Sequence, residues 1–207
     1  MNGFEKQELE TQGMMSKLFG SKPGHNALVE INNFLAESTA ATELTEEIVS
    51  NFIKNWGAKF DSSNIEYRSS MYRKVADHVY ISAVSKDDPV FEETRHLAQV
   101  LELPEKLQRL ADNGAKKVAY FSRCRKIISG EEPLTISEIN NVFGYDYEDG
   151  YDIRVQVFHD YLNKKFDEIA EQQRFSPDEE TALREICTKL DIPYEFKPNI
   201  QNALDKY

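Results

Sequence analysis

The chain writes out the start of a helix in full at two places. In Leu134-Thr135-Ile136-Ser137-Glu138, Thr135 and Glu138 are spaced to satisfy each other's backbone amides, and Leu134 is placed to meet Ile139. Ser176-Pro177-Asp178-Glu179 repeats the box with proline at the first helical position. Apolar residues at three- and four-residue steps mark the helices beside them. Val155, Phe158, Leu162, Phe166 and Ile169 form the stripe over 152–171, and Leu183, Ile186, Cys187 and Leu190 the stripe before Pro193. This punctuation commits the backbone to helix and predicts an all-α, multi-helix bundle.

The rest of the chain keeps the same grammar. Leu28, Ile31, Phe34 and Leu35 predict a first helix. Thr45 caps a second, whose stripe of Ile48, Val49, Phe52, Ile53 and Trp56 stops at Gly57. Residues 64–84 predict a longer helix with Met71, Val75, Val79 and Val84 inward, although 79–84 is rich enough in β formers to leave a strand open. Asp88-Pro89 opens the next helix, whose stripe ends at Pro104. A short helix then runs to Asp112-Asn113-Gly114, and 115–129 resumes beyond that stop. Residues 1–25, with Gly3, Gly13, Gly20, Pro23 and Gly24, read as a mobile arm, on which Met14, Met15, Leu18 and Phe19 could form one docking turn. Residues 26–207 read as one helical domain. Asn199–Tyr207 opens a helix left unfinished, which predicts either a continuation of the chain or docking on a neighbour.

Composition removes several classes. The net charge of −11 repels phosphate and argues against general nucleic-acid affinity. No apolar run approaches the ~18 residues of a membrane span. The first residues lack the basic start and apolar stretch of a signal peptide, and two cysteines form no disulfide framework, so a reducing, cytoplasmic setting is expected.

Two stretches resemble each other. Leu97-Ala98 and Leu101-Glu102-Leu103-Pro104 match Ile186-Cys187 and Leu190-Asp191-Ile192-Pro193 at one offset. Glu92-Glu93-Thr94 matches Glu179-Glu180-Thr181 at an offset two residues shorter. Two related helix–turn–helix units, near 64–104 and 151–194, would account for this. The string from Phe175 to Ile192 also resembles the helix-opening signature of TerB-like (tellurite-resistance-associated) bacterial helical domains, over about 40 residues with the preceding helix and with a second copy near 72–104. The resemblance implies a small cytoplasmic helical domain, with an acidic metal site in some members where the turn carries Asp-Gly. Here Gln173-Arg174 stand at that turn, while Asp87-Asp88 retain the acids in the earlier copy.

Three constellations bear on function. Asp87, Asp88, Glu92 and Glu93 gather at a helix start and read either as a divalent-metal site of oxygen ligands or as a cap with favourable dipole contacts. The loop 145–152 carries Tyr145, Tyr147 and Tyr151 among Asp146, Glu148, Asp149 and Asp152. It is not an EF-hand, because Tyr145, Tyr147 and Gln156 fall at liganding positions. It reads as an acidic interhelical loop, or as a protein-contact loop of rigid aromatic area. Residues 104–129 run against the global charge, with seven cations against Glu105 and Asp112. On a helical projection Lys116, Arg123 and Lys126 share a face opposite Val118, Phe121, Cys124 and Ile128, with Tyr120 nearby. That face either balances the acidic half of the chain or meets an anionic partner.

Glu93-Thr94-Arg95-His96 has di-iron spacing but no second copy. His78 and His159 sit beside Asp77 and Asp160, and both cysteines fall on apolar stripes. No catalytic motif is present. The sequence therefore predicts a non-enzymatic protein-interaction module of a bacterial or phage-like cytoplasm with no resident cofactor. Its alternatives are an acidic inhibitor of a basic, nucleic-acid-handling protein and a metal-binding domain centred on Asp87 and Asp88.

Overall fold

The computed structural model describes residues 3–10, 23–172 and 176–195. Among them lie α1 (Pro23–Glu37), a short 3-10 helix (Ala41–Glu43), α2 (Glu46–Trp56), α3 (Ile65–Ser82), α4 (Phe91–Val100), α5 (Glu105–Ser129), α6 (Ile136–Phe143), α7 (Tyr151–Gln172) and α8 (Pro177–Lys189), and no strand. The fold is all-α, as the stripes and caps predict. Helix ends follow their signals: Thr45, Thr135 and Ser176 each accept from the backbone amide three residues on, and Gly57 and Gly144 close α2 and α6 in the left-handed conformation.

The chain divides into two compact units. The first comprises Met1–Ala83 and Asp87–Lys116, the second Val84–Lys86 and Lys117–Tyr207. In the first, Leu28, Ile31, Leu35, Leu44, Met71, Val75, Val79, Leu97 and Leu101 form a buried cluster. In the second, Tyr120, Cys124, Ile139, Phe143, Phe158, Leu162, Ile186 and Leu190 are buried.

Each unit is built on the same plan. A Thr-capped short helix ending in a left-handed glycine (α2, α6) leads through a loop into a long helix (α3, α7). A further helix (α4, α8) then ends at a left-handed acid, Glu102 at φ 48° and Asp191 at φ 53°. The closing turns match bond for bond: Leu101, Glu102 and Leu103 donate to Leu97, Gln99 and Ala98, and Leu190, Asp191 and Ile192 donate to Ile186, Thr188 and Cys187. A cleft lies beside each of these acids, about 560 Å³ in the first unit and about 590 Å³ in the second.

Four local expectations differ from the structure. Residues 79–82 are helical, as the longer helix predicts, but α3 stops at Ser82, and Val84 is 63% exposed rather than inward. Asp88 Oδ1 accepts from Val90 N–H, so α4 begins at Phe91, after a side-chain-closed turn, rather than at Pro89. No break occurs at Asn113-Gly114, because this glycine makes room. A Cβ there would sit 2.1 Å from Arg73 Nη1, so the guanidinium occupies the space of the missing side chain. Residues 3–10, expected as part of a mobile arm, lie against α1 with Phe4 buried. Met14, Met15, Leu18, Phe19, Gln173, Arg174 and Asn199–Tyr207 fall outside the described residues.

Candidate functional site: the tyrosine loop of the second unit

The loop between α6 and α7 is tied by its own acids. Asp146 Oδ1 accepts from Glu148 and Asp149 N–H, both at 2.9 Å, and Asp149 Oδ2 accepts from Asp146 N–H at 3.0 Å. Beneath it, the fourth residue of α7, Arg154, is fully buried. Its Nη2 donates to the Tyr147 carbonyl at 3.0 Å and its Nη1 to the Tyr120 hydroxyl at 3.0 Å. The guanidinium also lies 4.6 Å from the Tyr147 ring centre and 5.7 Å from that of Tyr151. Tyr120 passes the chain of bonds on, donating to Asn140 Oδ1 at 2.7 Å. Burial pushes the Tyr120 hydroxyl up to about 12, against the lowering effect of Arg154. It therefore stays protonated and keeps both bonds.

Gly150 completes the fit. A Cβ at that position would sit 2.4 Å from the Tyr120 hydroxyl oxygen, so only glycine lets Tyr120 reach Arg154. On the outer side, Tyr147 is 43% exposed and its hydroxyl donates to the Asp191 carbonyl at 3.3 Å. Asp146, Glu148 and Asp149 are exposed around it. The result is a stiff loop presenting one aromatic ring among three carboxylates, anchored from below by a buried cation.

Five of the residues singled out in the sequence, Tyr120, Tyr145, Tyr147, Tyr151 and Arg123, converge here, but not all as a surface. Tyr120 is buried within the site, and the Tyr145 ring packs 5.3 Å from that of Tyr120 and 5.8 Å from that of Phe143. Arg123 is only 4% exposed, with its guanidinium 5.6 Å from the Phe143 ring centre. The expected basic face of Lys116, Arg123 and Lys126 is thereby corrected. Helix α5 buries Ala115, Ala119, Tyr120, Cys124 and Ile127, a stripe into which Arg123 falls, while Val118 is 52% exposed. Small alanines mark the inward face, and the projection followed the larger Val118 and Ile128 instead. Lys126 is exposed, whereas Lys116 is half-buried with its ammonium 5.7 Å from the Tyr80 ring centre.

The acids expected to hold a metal do not converge. Asp88 caps its turn, Glu92 pairs with Arg95 at 3.1 Å, and Glu93 Oε2 accepts from Ala41 N–H at 3.0 Å. Among the described residues, no three His, Cys, Asp or Glu side chains gather as a metal site. His96 donates to the Leu44 carbonyl, and Asp77 pairs with Arg73 rather than with His78. Cys124 and Cys187 are buried free thiols, pushed up to about 12 and about 11 by desolvation.

Sequence reading missed Arg154 and Asn140, the two groups that organise the site. The signal for Arg154 was its place one turn into a helix after a loop, where Arg68 stands in the first unit. Arg68 is buried too. Its Nη2 donates to Asp61 C=O at 3.0 Å, its Nη1 to Leu101 C=O at 2.7 Å and Glu102 C=O at 3.1 Å, and it lies 4.5 Å from the Phe60 ring centre. No family model, curated protein or solved structure matches the chain.

Proposed function

We propose that the chain is a non-catalytic protein-interaction module of a bacterial or phage-like cytoplasm, and that it engages a basic protein surface through the loop between α6 and α7. The observation that carries this reading is the support under Tyr147. A loop whose Tyr147 carbonyl and ring are held by Arg154, and whose Asp146 and Asp149 carboxylates are held by its own amides, loses little conformational freedom on binding. Tyrosine supplies large, rigid contact area, and the three carboxylates around it select a cationic partner and speed encounter. The net charge of −11 acts in the same direction at long range. The two buried free thiols suit a reducing compartment, and the likeness of residues 175–192 to TerB-like domains suits a small helical adaptor.

Photo-crosslinking tests the reading inside the source cell. A photoreactive phenylalanine analogue replaces Tyr147 in one strain and Ser62, an exposed residue of the matching loop in the first unit, in another. One basic protein joined from position 147 and not from 62, with a yield that falls as salt rises through about 0.5 M, is the expected result. Equal adducts from both positions, or none from 147, would remove the proposal. A captured protein that also binds nucleic acid, and is competed off it, would make the module an acidic inhibitor.

A further inference from the structure

Asparagine is a weak helix former, yet α1 carries three within eight positions, Asn26, Asn32 and Asn33. Their side-chain amides read the main chain of residues 5–10. Asn33 Oδ1 accepts from Gln7 N–H at 2.8 Å while its Nδ2 donates to Gln7 C=O at 2.9 Å. Asn26 treats Glu10 the same way, at 3.0 and 3.1 Å, and Asn32 Nδ2 donates to Glu5 C=O at 2.8 Å. The spacing explains itself. Seven residues of helix advance about 10.5 Å, and the three residues from Gln7 to Glu10 cover about 10 Å when extended, so two asparagines two turns apart match an extended peptide running antiparallel to α1.

Side-chain recognition is sparse by comparison. Phe4 is buried, with the Lys74 ammonium 4.9 Å from its ring centre, Gln7 Oε1 accepts from the Tyr67 hydroxyl at 2.6 Å, and Lys6 pairs with Glu37. Residues 5–10 are otherwise exposed. The fit is also incomplete. On the same helix, Asn32 Oδ1 and Glu30 Oε2 are buried with no hydrogen-bond partner among the described residues. Main-chain bonds plus one aromatic anchor, Phe4, which reaches into the buried cluster of the first unit, are the means by which a helix face holds an extended peptide, and two unfilled acceptors describe a face whose present occupant is not its best.

We propose that the asparagine face of α1 is a binding site for an extended segment of a partner protein, and that residues 3–10 are its resident, displaceable occupant. The partner segment has a Phe three residues before an amide side chain, and a donor-bearing residue that meets Asn32 and Glu30. This site uses none of the residues of the tyrosine loop and stands or falls apart from it.

The probe is a fluorescent peptide with the sequence of residues 3–10, added to the full chain and followed by anisotropy. In the wild type the resident segment competes. Phe4→Glu removes its anchor and should raise affinity for the peptide about tenfold, because the site is no longer occupied. Adding Asn26→Ala and Asn33→Ala should reverse that gain, and a peptide without its Phe should not bind. A Phe4→Glu chain of unchanged helicity that binds no better than wild type would overturn the proposal. So would wild-type dimers that grow with concentration while the free peptide stays unbound, since the occupant would then be a second copy. If Phe4→Glu fails to fold, Asn26→Ala/Asn33→Ala alone decides. Amide exchange at Gln7 and Glu10 should quicken about tenfold with helicity intact, and unchanged exchange would overturn the proposal.

Discussion

Arg68 and Arg154 do the same work in the two units and leave different surfaces above them. Each is the fourth residue of its unit's long helix, is buried with no carboxylate hydrogen-bonded to it among the described residues, donates through Nη2 to a carbonyl seven residues earlier at 3.0 Å, and lies against an aromatic ring. In the first unit the ring, Phe60, belongs to the residue before the accepting carbonyl of Asp61 and is half-buried, and the loop's polar tip is Asp61, Ser62 and Ser63. In the second the ring belongs to Tyr147 itself, which faces outward among acids. At the N-cap of the long helix, Asn64 ties the first loop with its own side chain, donating to Lys59 C=O at 2.8 Å and accepting from Asp61 N–H at 3.2 Å. Gly150 leaves that space empty and Tyr120 fills it from another helix. Buried guanidinium-to-carbonyl bonds set the backbone in both loops, which frees the outer side chains to differ.

The largest effects should come from the arginines. Arg68→Ala leaves three carbonyls without their donor and should cost about 3 kcal/mol, and Arg154→Ala slightly less, as read by denaturant unfolding. Lysine should rescue neither well, since an ammonium cannot span two acceptors in one plane. Gly150→Ala should cost about 2 kcal/mol by driving Tyr120 off Arg154, whereas Asn64→Ala at the matching place should cost about 1 kcal/mol, the loss of a loop tie. If the two glycine and asparagine variants were equal, the two loops would not be solved differently. Tyr120→Phe should cost about 1 kcal/mol, removing one bond it donates and one it accepts, and Tyr147→Phe less, since its 3.3 Å bond is long and exposed.

Smaller effects sharpen the comparison. Burial raises the Asp112 carboxyl, which accepts from the Tyr72 hydroxyl at 2.9 Å. A raised folded pKa gives stability that is full at low pH, below the unfolded value, and lost as pH rises through the folded one. Asp112→Asn should therefore be better tolerated at pH 7 than at pH 4 in paired melting curves, a pH effect on the first unit alone. Replacing the left-handed acids by glycine, Glu102→Gly and Asp191→Gly, should each stabilise by up to about 1 kcal/mol, and by similar amounts if the two turns are equivalent.

Much of the fold was legible because helix ends carry local chemistry. Thr45, Thr135, Ser176, Gly57 and Gly144 cap where their residue types say they should. The matching strings around Glu102 and Asp191 pointed to the two equal turns for the same reason. What failed was long-range. Gly114 reads as a stop in sequence, but Arg73 from another helix needs its space, and Arg123 reads as solvent-facing, but alanines rather than large aliphatics define the inward stripe of α5. The tyrosines of the candidate site were found by composition. Their organiser, Arg154, was not, because a lone arginine in an amphipathic helix looks like surface until the carbonyl it serves is known. The asparagines of α1 were unreadable for the same reason, since their partner is a passing main chain that has no sequence signature.

Amide hydrogen exchange across both loops tests most directly that each is held by its own buried arginine. In Arg154→Met, exchange of Asp146, Glu148 and Asp149 should quicken at least about tenfold while Ser63 and Asn64 keep their wild-type rates, and Arg68→Met should do the reverse. Uniform quickening of both loops in either variant, or no change at the loop above the lost arginine, would contradict the account.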